Sequence, residues 1–171
     1  MNLTPADHPV LEIDDLRVAI KTDEQTDDGS PVYVYPVDGV HLAIARGQTL
    51  CLVGESGCGK SMTAFAIMGL LPSAAHIAKG SVQFHGTDLT ARTDAIRALR
   101  GDRVAMIFQE PMTALHPTKT IGDQLAEVCI VHERTGRTAA RALALQRLQD
   151  VHMPDPKLVL NEYAHQLSGG Q

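Results

Sequence analysis

The stretch Gly54-Glu55-Ser56-Gly57-Cys58-Gly59-Lys60-Ser61 decides how the rest of this chain is interpreted. It fits the pattern G-x-x-x-x-G-K-[ST] in full. A loop that wraps a polyphosphate points successive backbone N–H groups inward, and glycines allow the positive φ angles and the close approach that this requires. The sequence therefore predicts a phosphate-binding loop, with Lys60 reaching the β- and γ-phosphates and the Ser61 hydroxyl placed to ligate Mg²⁺.

The residues on either side of the loop favour the same interpretation. LCLV at residues 50–53 is wholly apolar, which is typical of a strand buried on both faces in a parallel sheet. SMTAFAIMGLL at residues 61–71 predicts a buried helix that ends before Pro72. Strand, glycine loop and helix follow one another in phosphate-binding βα units. A glycine-rich turn that binds nothing is the alternative, and a regulatory thiol at Cys58 is a weaker one, since the pattern accepts any residue there.

Composition narrows the class of protein. The chain has 171 residues, 44% of them hydrophobic and 20% charged, with a formal net charge of −5. That length suits one domain, or one domain and part of a second. The negative charge argues against nucleic-acid binding, and no apolar run or N-terminal signal predicts a membrane span or secretion. Three cysteines, without metal-ligand spacing, fit reduced thiols in a cytosolic α/β protein.

Hydrophobic periodicity divides the chain into a β-rich part and a helical part. Residues 10–20 and 32–44 predict strands, and the acidic residues 22–30 between them predict a solvated hairpin tip. Further strands are predicted at 82–85 and at the apolar VAMIF of 104–108, with a helix at 93–100. Beyond these, helices are predicted after a cap at Thr118 or Thr120 and at 138–151. The predicted division is residues 1–108, carrying the phosphate loop, and residues 109–171, the helical part.

Two further signals resemble those of one family. Leu167-Ser168-Gly169-Gly170-Gln171 looks like the signature motif of ATP-binding cassette (ABC) ATPases, which likewise follows a helical subdomain. In that family a glutamine at the end of a strand, the Q-loop, reaches Mg²⁺ and the attacking water, and Gln109 occupies the matching position. The resemblance implies an incomplete ABC ATPase fold: a P-loop NTPase-type parallel sheet, an N-terminal antiparallel β subdomain and a helical subdomain.

The resemblance also extends to one branch of the family. Residues 37–40, 66–72, 106–117 and 165–166 are similar to the ATPases of oligopeptide and dipeptide importers. This implies an ATP- and Mg²⁺-dependent subunit at the cytoplasmic face of the cell membrane, peripheral to it. The implied partners are transmembrane permease subunits, a second ABC ATPase subunit and, indirectly, a substrate-binding protein. Residues 168–171 would then contact the ATP of the opposing subunit.

Two departures from the family pattern matter. Ile20 stands where relatives carry an aromatic residue that stacks on adenine; Tyr33 or Tyr35 is a candidate replacement, although an ordinary strand residue is the favoured interpretation of each. The second magnesium motif, the catalytic glutamate and the switch histidine follow the signature in the family and do not occur among these 171 residues. We therefore expect the chain alone to be a truncated, inactive ATPase. The alternatives are a non-catalytic nucleotide-binding remnant or an interaction module; the signature disfavours another P-loop class such as a small-molecule kinase.

Overall fold

The computed structural model of the chain describes residues 9–90, 93–110 and 114–171. The chain divides into two compact units, Met1–Arg100 and Gly101–Gln171. Within the described ranges, no helix is both long and apolar enough to cross a membrane.

The first unit is built on a four-stranded antiparallel sheet. Its strands are β1 (Leu11–Gln25), β2 (Pro31–Ile44), β3 (Ala75–Phe84) and β4 (Thr87–Asp88), in the spatial order β2-β1-β3-β4. The long hairpin of β1 and β2 has an exposed acidic tip, where the Asp28 carboxylate accepts hydrogen bonds from the Thr26 hydroxyl and from the Ser30 N–H at 3.1 Å. The predicted solvated hairpin and the antiparallel part of the predicted fold are confirmed.

Two helices cover this sheet: α1 (Lys60–Met68), which begins at the phosphate loop, and α2 (Thr93–Leu99). The β-branched and leucine side chains of the strands form the core together with residues of the helices. Its most buried members are Ile13, Leu16, Val18, Val37, Val82, Ala66, Leu89 and Ile96. Both helices were predicted, within a few residues of their observed bounds.

The two apolar stretches predicted as buried parallel strands are not strands in the structure. Residues 50–53 have no strand pairing, and Val53 is 89% exposed. Residues 104–108 form only an isolated bridge at Val104, and Ile107 is 95% exposed. A parallel strand is stabilised by hydrogen bonds to neighbours on its edges, and the sheet formed by the described residues is antiparallel throughout.

The second unit is helical, as predicted. It contains α3 (Ile121–Glu133), α4 (Arg137–Asp150), α5 (Pro156–Val159) and a 3₁₀ turn at Ala164–Gln166. Of the two predicted caps, Thr120 is the observed one, because its hydroxyl accepts the Asp123 N–H at 3.2 Å. Ala140 and Ala144 are fully buried, which allows α3 and α4 to pack closely. Residues 111–113, part of the stretch 106–117 quoted above, lie outside the described residues.

Candidate functional site

The phosphate loop spans residues 54–59 and leads directly into α1. Gly57 and Gly59 have φ angles of 85° and 90°, in the region that glycine adopts at little cost. A Cβ atom at Gly59 would lie 2.1 Å from the Pro36 carbonyl oxygen, so only glycine fits between the loop and β2. Backbone conformation therefore explains the glycines at both positions, and at Gly59, the second fixed glycine of the motif, a close backbone approach also requires one.

Lys60 is the first residue of α1, and its side chain folds back over the loop. Its Nζ donates hydrogen bonds to the carbonyl oxygens of Gly54 at 2.7 Å and Glu55 at 2.6 Å. The same ammonium lies 3.4 Å from Cys58 Sγ. The Lys60 ammonium, the one cation of the motif, thus lies against the loop backbone, where it would contact an anion bound by the loop.

The N-terminus of α1 completes an anion-binding arrangement. No side chain caps it and no acidic residue lies in its first turn. The first N–H groups of such a helix, with the positive end of its dipole, attract phosphate groups. Ser61 follows Lys60 in this first turn and is exposed. Its hydroxyl is the kind of oxygen ligand that Mg²⁺ accepts beside phosphate oxygens.

The described residues contain no cluster of three or more His, Cys, Asp or Glu side chains that could hold a metal ion. Mg²⁺ commonly keeps several waters and takes only one or two protein ligands beside substrate phosphates, and a single hydroxyl such as that of Ser61 is one ligand of this kind.

Of the two tyrosines considered for adenine stacking, Tyr35 is next in sequence to Pro36, the β2 residue that approaches the loop at Gly59. Tyr35 is 49% exposed. The Arg17 guanidinium lies 5.5 Å from the centre of its ring, a cation–π contact. Tyr33, in contrast, makes an edge-to-face contact with His76 at 5.8 Å.

The signature residues form a compact turn at the surface of the second unit. The N–H and the hydroxyl of Ser168 both donate to Gln171 Oε1 at 2.9 Å, and the Gln171 N–H donates to the Ser168 carbonyl at 2.9 Å. A Cβ at Gly169 or Gly170 would meet nothing within 4 Å, so both glycines are open to solvent. The turn is therefore held by its own hydrogen bonds and leaves its glycine backbone accessible.

A second set of contacts holds the segment before this turn. The Tyr163 N–H donates to Gln166 Oε1 at 2.8 Å, and the Tyr163 ring stacks on His165 at 5.7 Å. Tyr163 also pairs with Thr120 through an isolated bridge, which connects this segment to the start of α3.

Gln109 is exposed and lies in the second unit, in a bend after residues 104–108. The phosphate loop belongs to the first unit, so the role of Gln109 at Mg²⁺ stays a prediction. Sequence reasoning missed two residues at the ends of the loop and helix, Pro36 and Arg100, because each contact has a backbone carbonyl as one partner and neither residue belongs to a motif.

The model of one family, that of the ABC transporters, matches residues 37–171. The chain belongs to this family. It is 44% identical over 163 residues to the dipeptide transport ATP-binding protein DppD of Bacillus subtilis, covering 94% of this chain and 47% of that protein. It is 43% identical over 164 residues to the probable D,D-dipeptide transport ATP-binding protein DdpD of Escherichia coli, covering 95% and 48%.

Solved ABC cassettes share the fold. The structure of MJ0796, described as the dimeric structure of a bacterial ABC transporter cassette, superposes with a TM-score of 0.77 at 23% identity. The match covers 94% of this chain and 64% of that one. The chain thus has an ABC ATPase fold, and it spans about half the length of the dipeptide transport relatives it matches.

Proposed function

We propose that this chain is the nucleotide-binding part of an ABC ATPase subunit that couples ATP binding and hydrolysis to the import of peptides. The observation that carries the proposal is the phosphate loop: glycines with positive φ, an uncapped helix N-terminus and the Lys60 ammonium converge on one point. The names of the relatives, a dipeptide and a probable D,D-dipeptide transport ATP-binding protein, support peptides as the cargo.

In this proposal the loop residues divide the work of holding a nucleotide. The backbone N–H groups of residues 54–59 and the first turn of α1 bind the phosphates, and Lys60 exchanges its bonds to two loop carbonyls for phosphate oxygens. Ser61 holds Mg²⁺, which offsets the charge that develops on the phosphates, and the role proposed for Gln109 rests on the family resemblance alone. Gln109 suits this place because its amide both accepts and donates hydrogen bonds.

The adenine base has a candidate contact in Tyr35. Its half-exposed ring belongs to the residue before Pro36, whose carbonyl oxygen approaches Gly59, and the Arg17 guanidinium lies 5.5 Å from the ring centre. Aromatic stacking on a base contributes about 1–3 kcal/mol. Replacing Tyr35 by alanine should therefore lower the affinity for ATP more than the affinity for inorganic triphosphate. Tyr33→Ala should leave both affinities unchanged.

The signature turn and the helices serve partners. The open backbone of Ser168–Gln171 would contact ATP on a second ATPase subunit, and the helical unit would transmit closure to transmembrane permease subunits. A substrate-binding protein would deliver peptide to that permease, and the chain would reside peripherally at the cytoplasmic face of the membrane. We expect the 171 residues alone to bind nucleotide without measurable turnover, because the family's catalytic glutamate motif is not among them.

The direct test is titration of the 171-residue chain with a fluorescent ATP analogue and Mg²⁺. Lys60→Ala should abolish saturable binding, since a point charge that contacts the β- and γ-phosphates is lost. Lys157→Ala is the matched control, because this lysine lies on α5 in the second unit. Equal affinity in the wild type and Lys60→Ala would refute the site, and steady-state hydrolysis by the wild type would refute the expected inactivity.

A further inference from the structure

The C-terminus of α1 is held by a residue far away in sequence. A helix leaves its last four carbonyl groups without partners inside the helix. In α1 the N–H groups of Gly69 and Leu70 bond back to the carbonyls of Ala66 at 3.1 Å and Phe65 at 2.8 Å. The carbonyls of Met68 and Gly69 are among those left at this end for a partner from elsewhere.

Arg100 supplies both bonds. Its Nε donates to the Met68 carbonyl at 2.7 Å and its Nη2 donates to the Gly69 carbonyl at 2.6 Å. α1 has no basic residue in its own last turn, so Arg100 also brings the positive charge that stabilises the negative end of the helix dipole. The contact is tight, because a Cβ at Gly69 would lie 2.9 Å from Arg100 Nη2.

The other end of α1 is fixed as closely. Gly59 sits against the Pro36 carbonyl, and the Thr63 N–H bonds to the Gly59 carbonyl at 2.8 Å. The helix has nine residues, or about 14 Å at about 1.5 Å per residue. A rigid rod of that length transmits a displacement at one end to the other. Lys60 and Ser61 are therefore positioned by contacts at both ends of the helix.

We propose that Arg100 is a positioning residue for the phosphate loop: by clamping the last carbonyls of α1, it sets the placement of Lys60 and Ser61 toward phosphate. The inference rests on the nucleotide-binding function proposed above and adds a residue that touches neither phosphate nor metal. A shift of about 1 Å in the position of binding groups strongly affects how they act on a bound molecule. Loss of the clamp should therefore lower the affinity for phosphate although every group that contacts phosphate is still present.

The first test compares affinities for the fluorescent ATP analogue at a temperature where every variant is folded by circular dichroism. Arg100→Ala should weaken binding about tenfold, and Arg100→Lys, which keeps a cation at the helix end, should recover part of that loss. Leu99→Ala is the control for stability, since the Leu99 side chain packs on the core and carries no donor for the carbonyl groups of α1. It should lower the melting temperature and leave the affinity within about twofold. An unchanged affinity in Arg100→Ala, or an equal loss in Leu99→Ala, would overturn the proposal.

The second test does not depend on nucleotide. Amide hydrogen exchange should speed up in Arg100→Ala at Leu70, next to the clamp, and also at Thr63, at the loop end of the helix. Faster exchange at Leu70 alone would mean that the clamp does not reach the loop, and the inference would be wrong. Failure of the wild type to bind the analogue would instead count against the proposed function, and the exchange result would still decide the role of Arg100.

Discussion

Replacing Gly59 by alanine tests the geometry on which the phosphate loop depends. An alanine here must keep a φ of 90°, which costs an L-residue about 1–2 kcal/mol. Its Cβ would also lie 2.1 Å from a backbone oxygen, that of Pro36, so the loop or β2 must move. Overpacking of this kind costs about 1–3 kcal/mol. The free energy of unfolding should therefore fall by about 2–5 kcal/mol in Gly59→Ala.

Gly57 provides a matched control for this substitution. Its φ is 85°, but a Cβ there would meet nothing within 4 Å. Gly57→Ala should therefore lower the free energy of unfolding by only the conformational cost, about 1–2 kcal/mol. Both can be measured by urea unfolding followed by circular dichroism, with the slope m unchanged from the wild type. Equal losses in the two variants would show that the close approach of Pro36 does not constrain the loop.

Three further predictions concern the helical cap, pH and self-association. Thr120→Ala should lower the free energy of unfolding by about 1 kcal/mol in a urea titration, because the N-cap of α3 loses its side-chain acceptor. The hydrogen bond from the Lys79 ammonium at 2.5 Å is the main cause that lowers the pKa of Asp15 below 3.8. The stability gained from this pair should therefore be complete above pH 3.8 and be lost as the pH falls through the lower folded-state pKa. The melting temperatures of Lys79→Met and the wild type should then converge in acid. Val53 and Ile107 are 89% and 95% exposed. The double variant Val53→Lys, Ile107→Lys should therefore self-associate less than the wild type in analytical ultracentrifugation. Unchanged self-association would contradict this prediction.

Local chemistry made much of this protein predictable. The glycine positions, Lys60 and Ser61 follow from what a backbone needs in order to wrap phosphate, and that need is met within eight consecutive residues. The acidic hairpin, the capping threonine and the helical periods are likewise short-range signals. The prediction failed at residues 50–53 and 104–108, where an apolar run shows only that a segment favours burial. Whether it becomes a strand depends on a neighbour that its own composition does not supply.

By itself, then, the sequence determined the motif, the family resemblance and the positions of the hairpin and of the main helices. Tertiary structure alone decided that Pro36 presses on Gly59 and that Arg100 reaches the end of α1. Those contacts join residues 23 and more than 30 positions apart through backbone carbonyls, which every residue type carries. Because every residue has a backbone carbonyl, the sequence does not indicate which carbonyl accepts a given hydrogen bond, and the partner is identified only in the folded structure.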